Sequence, residues 1–318
     1  MARMDRLPYD EFGLFHENAS EHGLPFEKPP SVCRDEVQLL DGRSISVLVW
    51  GDDPEVVFVH GGAQNAHTWD TTIMALGRSA LAIDLPGHGH SDWRPDGRYS
   101  PRLLANDVAA VITALAPRSQ MLVGMSLGGL TSLQVATHHR SLVQALMLVD
   151  ITPGVNRAKS KAVIDFVDGP QAFPSFSALL ERTMQHNPTR SESSLRRGIL
   201  HNAHQLDDGS WAWRYDRGTH ARTADDDSPD PVAGDGLAAA GDGLAAAMSP
   251  LWDDFGQLSC PVALVRGALS PVVDDDDVAE ALRRQPAMRV HVVEAAGHSV
   301  QGDQPLELAR LIGAMLDR

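Results

Sequence analysis

Short, almost wholly apolar runs recur along this chain, and helical patterns fill most of the gaps between them. The runs lie at residues 56–59, 80–83, 121–124, 145–149, 262–265 and 290–293, broken only by His291. Runs this short and this uniform predict strands buried on both faces of a parallel sheet, because a half-buried strand would alternate instead. Helical periodicity follows at 101–115, 127–138, 275–285 and 306–316. Strand–helix alternation of this kind argues for a doubly wound α/β fold with a mostly parallel sheet. Before it, 36–40 and 44–50 alternate around Asp41-Gly42, which reads as an antiparallel hairpin. Residues 1–34 are polar and interrupted by Pro8, Pro25, Pro29 and Pro30, so they read as an N-terminal extension wrapped on the surface with one short helix near 11–20.

One connection breaks the rhythm. More than a hundred residues separate Val149 from Val262, far beyond what a crossover needs. The segment has helical patterns of its own at 175–185 and 191–204, and it carries Trp211, Trp213 and Tyr215. It is expected to be an inserted, mainly helical cap domain spanning 151–258, with 35–150 and 259–318 forming the core. Its later part holds an acidic stretch at 224–228 and one heptapeptide written twice at 234–247. Two copies are too few for a solenoid, so the repeat reads as a duplication tolerated in a linker.

Composition narrows the setting. At 318 residues and 34.3 kDa the chain can bury a large core. The formal net charge is −15, which repels phosphate backbones and anionic lipid and argues against nucleic acid or membrane as partners. No apolar stretch is long enough to span a bilayer, and no apolar region follows the N-terminal arginines as a secretory signal would require. Cys33 and Cys260 are far apart and fit neither a disulfide framework nor a zinc spacing. The expectation is a cytoplasmic protein; a homo-oligomer is compatible with the sequence.

The chemistry concentrates at three places. Gly124-Met125-Ser126-Leu127-Gly128 follows an apolar run and opens a helix, the context a G-x-S-x-G nucleophile elbow requires. The turn is tight enough that the positions two before and two after the serine need minimal side chains, and Ser126 Oγ then stands clear above the sheet. His298 follows the last strand with Gly297 before it, placed late in the chain as the general base of such a serine. His60-Gly61-Gly62-Ala63 follows the strand at 56–59, where backbone N–H groups of Gly62, or secondarily Ala63, together with that of Leu127 would form an oxyanion hole. His60 reads as a structural hydrogen-bonding group. His88 and His90 lack the further ligands that would complete a metal site, so no metal is expected, and no cofactor is implied.

Taken in order, HGGAQNAHTW, DLPGHGHSD, GMSLGG and AAGHSV resemble the α/β-hydrolase superfamily across residues 35–318. The resemblance implies a Ser-Asp-His triad, but the acid departs from the commonest pattern. The position after the seventh strand, which in the family usually carries aspartate, is Ser270 here, followed by Pro271. That resembles the esterase subgroup whose acid follows strand six, which points to Asp150; Asp274, on the acidic run 274–277, stays as the alternative.

A serine nucleophile implies attack on a carbonyl and an acyl-enzyme. The expected substrate is a carboxylic ester or lactone of an apolar or aromatic small molecule. A thioester or C–C hydrolase of the same fold is one alternative, and a ligand receptor with slow turnover is another. Trp211, Trp213 and Tyr215, spaced by two, would put their rings on one face of an extended segment and are the candidate substrate-binding residues, with packing inside the cap as the competing role.

Overall fold

A computed structural model describes residues 9–156, 158–217 and 250–317. The acidic stretch at 224–228 and the duplicated heptapeptide lie outside the described residues.

Eight strands form the main sheet: β1 (Val32–Gln38), β2 (Ser44–Trp50), β3 (Val56–Val59), β4 (Ala80–Ile83), β5 (Met121–Met125), β6 (Leu146–Val149), β10 (Val262–Gly267) and β11 (Arg289–Val293). Their order is β1-β2-β4-β3-β5-β6-β10-β11. Pairing is antiparallel at β1–β2 and β2–β4 and parallel from β4 to β11. The apolar runs are uniform because both faces are covered. On β3, Val57 and Val59 enter one core while Val56 and Phe58 enter the other, and β6 divides in the same way. One core packs under α3 (Pro101–Leu115) and α4 (Leu127–His138). The other packs under α2 (Asp70–Leu76) and the C-terminal helix Pro305–Leu316. The short α2 lacks a long helical period and was not among the elements the sequence pattern predicted.

The N-terminal stretch is more than a surface wrapping. β1 starts at Val32, inside the segment expected to be an extension. The helix α1 (Phe15–His22) buries Phe15 to 2% exposure, edge-on to Trp50 at 5.1 Å. Arg34 clamps the segment to the sheet, donating from Nε to Glu11 (2.8 Å) and from Nη1 to the fully buried Asp84 (2.8 Å).

Between β6 and β10 the chain forms α5 (Lys161–Val167), α6 (Phe176–His186) and α7 (Glu192–Asn202). It also forms a three-stranded antiparallel sheet, β7 (Ala172–Phe173), β9 (Trp211–Trp213) and β8 (Ala203–Gln205), that the expectation of a mainly helical insertion did not include. Strands of two or three residues are too short to leave a period in the sequence. The insertion has its own apolar cluster of Phe173, Leu179, Ile199, Leu200, Trp211, Trp213 and Tyr215.

Candidate active site

The ends of two neighbouring strands bring the first two groups together. Met125 pairs with Val149 across β5–β6, and Val149 pairs with Val265 across β6–β10. Ser126 and Asp150 therefore emerge side by side at the carboxyl edge of the sheet, where ligands of open α/β sheets bind. Both leave their strands with positive φ, 51° at Ser126 and 50° at Asp150, a conformation that non-glycine residues rarely adopt and that concentrates at functional sites.

The elbow needs its glycines for close approach. A Cβ on Gly124 would lie 2.4 Å from the carbonyl oxygen of Gly128, and one on Gly128 would lie 2.3 Å from that of His60. Any larger residue at either position would push α4 away from the sheet and move Ser126 with it.

His298 comes from the loop after β11 and completes a continuous chain. Its Nε2 is 3.1 Å from Ser126 Oγ, and its Nδ1 is 2.8 Å from Asp150 Oδ2. Because the carboxylate can only accept, Nδ1 carries the proton and Nε2 is left to receive the one from serine. Asp150 is wholly buried, and an unpartnered carboxylate there would be costly. It is instead fully engaged: Oδ1 accepts from the Gly267 N–H (2.9 Å), while Oδ2 accepts from the Ser270 hydroxyl as well as from His298. Asp274 lies elsewhere. It caps the helix Asp275–Arg284 in a reciprocal box with Asp277 and pairs with Lys159 at 2.8 Å.

Around the serine, the N–H groups of Gly62, Ala63 and Leu127 have no hydrogen-bond partner among the described residues, whereas that of Gly61 is taken by Gln64 Oε1 (3.1 Å). A Cβ added to Gly62 would meet nothing within 4 Å, so this backbone is open to the cavity. His60 sits beneath. Its Nε2 accepts from Leu85 N–H (2.9 Å) and its Nδ1 donates to Gly61 O (2.7 Å), while burial pushes its pKa down to about 3. A ring fixed in that neutral tautomer supports the loop that carries Gly61, Gly62 and Ala63.

A cavity of about 340 Å³ opens over the triad between core and cap, within the range that takes a small molecule. Its wall includes Gly62, Gln64, Ser126, Phe166, Trp213 and His298. Of the three rings singled out in the cap, Trp213 reaches this wall, but Trp211 and Tyr215 do not. Trp213 stacks on Tyr215 at 5.7 Å, and Trp211 meets Phe176 edge-on at 5.1 Å. Trp211 and Tyr215 thus pack the cap's own cluster.

One further group on the wall escaped the sequence reading. His67, Asp70 and His201 bring potential metal-ligating atoms within 4.8 Å of one another, and all three are buried. At least one atom of each is engaged, while Asp70 Oδ1 is buried without a hydrogen-bond partner among the described residues. His67 Nδ1 meets Asp70 Oδ2 at 2.9 Å and its Nε2 meets Glu11 at 3.1 Å, while His201 Nδ1 meets Tyr9 at 2.8 Å. Burial works against charge on His67, but the charge of Asp70 and the two carboxylate contacts overcome it and push its pKa up to about 9. This imidazolium stacks on neutral His201, centroids 3.8 Å apart, joining core, cap and N-terminal segment. Sequence spacing could have flagged His67 and Asp70, but His201 lies in the distant insertion.

Residues 54–305 match the family model of the alpha/beta hydrolase fold, and the chain belongs to that family. With its Ser-His-Asp set it is a carboxylic ester hydrolase. It is similar to esterase Rv0045c of Mycobacterium tuberculosis, 44% identical over 316 residues covering 97% of this chain and 96% of the relative. A solved structure of that esterase, from work on its transition metal inhibition, superimposes with a TM-score of 0.79 over 98% of this chain and all of the other, at 42% identity. The chain is also similar to the 2-(acetamidomethylene)succinate hydrolase of Mesorhizobium japonicum, 26% identical over 86% of this chain and 92% of that one. No helix among the described residues is long and apolar enough to cross a membrane.

Proposed function

We propose that this chain hydrolyses the ester or lactone bond of a small molecule enclosed between cap and core, with Ser126 as nucleophile, His298 as general base and acid, and Asp150 as the orienting carboxylate. The observation that carries this reading is the unbroken hydrogen-bond chain Asp150–His298–Ser126 at the floor of the cavity. His298 Nε2 takes the Ser126 proton as Oγ attacks the carbonyl carbon. The developing oxyanion is received by the free N–H groups of Leu127 and Gly62, with Ala63 as the alternative second donor. Collapse expels the alcohol, protonated by His298, and leaves an acyl-Ser126. Water, activated by the same imidazole, then releases the acid.

The esterase designation of the mycobacterial relative supports the same reaction class. The two free cysteines fit a reducing compartment, and the net charge of −15 weighs against nucleic acid as a partner. The test is Ser126→Ala against wild type on p-nitrophenyl butyrate, with fluorophosphonate labelling in parallel. Loss of about 10⁴-fold or more in kcat, together with loss of labelling, is expected for a triad nucleophile. Turnover within about tenfold of wild type would overturn the assignment.

A further inference from the structure

Besides the His67 imidazolium, which Asp70 and Glu11 already hold, three cationic side chains line the cavity among the described residues: Lys159, Arg190 and Arg197. Two are neutralised. Lys159 pairs with Asp274 (2.8 Å) and Asp277 (2.7 Å), and Arg197 pairs with Glu21 and lies 3.7 Å from Glu17. Arg190 has no carboxylate within ion-pairing distance among the described residues. Its one side-chain hydrogen bond runs from Nη2 to Ser194 Oγ (2.6 Å), and its Nε is shut off from solvent with no partner. Burial lowers its pKa, with Asp303 as the leading opposing influence. Asp303 is itself taken up, accepting from Gly297 N–H (2.7 Å) and Thr189 Oγ1 (3.0 Å).

A half-buried guanidinium without a carboxylate partner is costly, and its remaining donor capacity favours an anion. Its position is also specific. A Cβ on Gly302 would lie 2.9 Å from Arg190 Cζ, so the guanidinium rests against the short helix Val300–Asp303 that directly follows His298. It belongs to the turn that precedes α7, its N–H held by Asn187 O at 3.2 Å. The cap thereby lays a free positive charge on the wall of the cavity that holds the triad.

We propose that Arg190 is the anchor for a carboxylate carried by the substrate, and that the enzyme acts on esters or lactones bearing such a group away from the scissile bond, as in half-esters of short dicarboxylic acids. This rests on the ester-hydrolase reading above. The apolar part of the same wall, with Val163, Phe166 and Trp213, would receive the rest of the molecule, so the substrate is an apolar body with one charged end. Nη1 is the open donor, and a bound carboxylate would accept from it without disturbing the bond from Nη2 to Ser194.

The experiment compares the mono-p-nitrophenyl ester of glutaric acid with neutral p-nitrophenyl valerate, on wild type, Arg190→Gln and Arg190→Lys. Hydrogen bonds to a charged group predict a fall in kcat/KM for the glutarate ester of about 10- to 100-fold in Arg190→Gln, carried by KM, with the neutral ester changed less than about threefold. Arg190→Lys should recover part of the loss. An unchanged charged-to-neutral ratio in a folded Arg190→Gln overturns the proposal. Calorimetric titration of wild type with glutarate and with glutaramide gives an answer without turnover and without a variant. Tighter binding of glutarate supports the anchor even if neither ester is hydrolysed, an outcome that would instead defeat the hydrolase reading. Equal binding of the two ligands overturns the anchor even if both esters turn over.

Discussion

The Ser270 hydroxyl donates its hydrogen bond to Asp150 Oδ2, the carboxylate oxygen that also holds His298. The position after β10 that the resemblance associated with the catalytic acid therefore still serves the acid, although the carboxylate itself now comes from the neighbouring strand. Ser270 Oγ in turn accepts from Val272 N–H at 3.2 Å, which fixes the direction of its own proton. The carboxylate is left with little freedom to rotate away from the imidazole.

Ser270→Ala should accordingly lower kcat by about tenfold or more while KM moves little, because a hydrogen bond to a charged group is lost at a residue that does not reach the substrate. Ser270→Thr should restore most of the rate if its hydroxyl keeps the same bond. Steady-state kinetics on a small neutral ester reads both. A KM effect without a kcat effect would remove Ser270 from the positioning of Asp150.

The two candidate acids separate by the same assay. Asp150→Asn should lower kcat by about 10⁴-fold, since an amide presents the wrong partner to His298 Nδ1, as in serine proteases. Asp274→Asn keeps an oxygen that can cap the helix and removes one ion pair to Lys159, so it should change stability by less than about 1 kcal/mol and leave the rate in place. A rate loss at Asp274 matching that at Asp150 would contradict the geometry.

The His67 cluster predicts a pH-dependent clamp. The His67 pKa is 6.5 in the unfolded chain and is raised to about 9 in the fold. The native state therefore holds this proton more tightly, so the stabilisation is fully present below the unfolded value and is lost as pH rises through the folded one. The difference in urea midpoint between wild type and His67→Gln should be large at pH 6 and shrink by pH 9.5. A constant difference would mean that the ring is not held as an imidazolium.

The aromatic pair in β9 should divide into a wall residue and a packing residue. Trp213→Ala should change the ratio of kcat/KM between bulky and small acyl groups, because its ring reaches the cavity. Trp211→Ala should lower stability by about 3–5 kcal/mol, as for a large ring deleted from a core, and leave that ratio in place. A specificity change at Trp211 equal to that at Trp213 would reverse the roles.

Local pattern alone determined much of this protein. Apolar runs of four or five residues placed the buried strands because burial on both faces leaves no alternation, and the elbow around Ser126 was legible because its spaced glycines mark a strand–turn–helix unit, although the contact that demands Gly128 is with Val59 and His60 of the neighbouring strand end. His298 was legible for a similar reason, since a histidine directly after the last strand can only face the carboxyl edge of the sheet. The acid was not legible in the same way. Asp150 and Asp274 both stand near strand ends, and choosing between them required the register of β5, β6 and β10 and the loop that brings His298 across. Ser270's part, the facing of Trp211 and Tyr215 into the cap, and the meeting of His67 with His201 likewise depend on residues remote in sequence. Such contacts are set by how strands pair and how the insertion docks, and a linear pattern carries only the period of each element and not the partner it will meet.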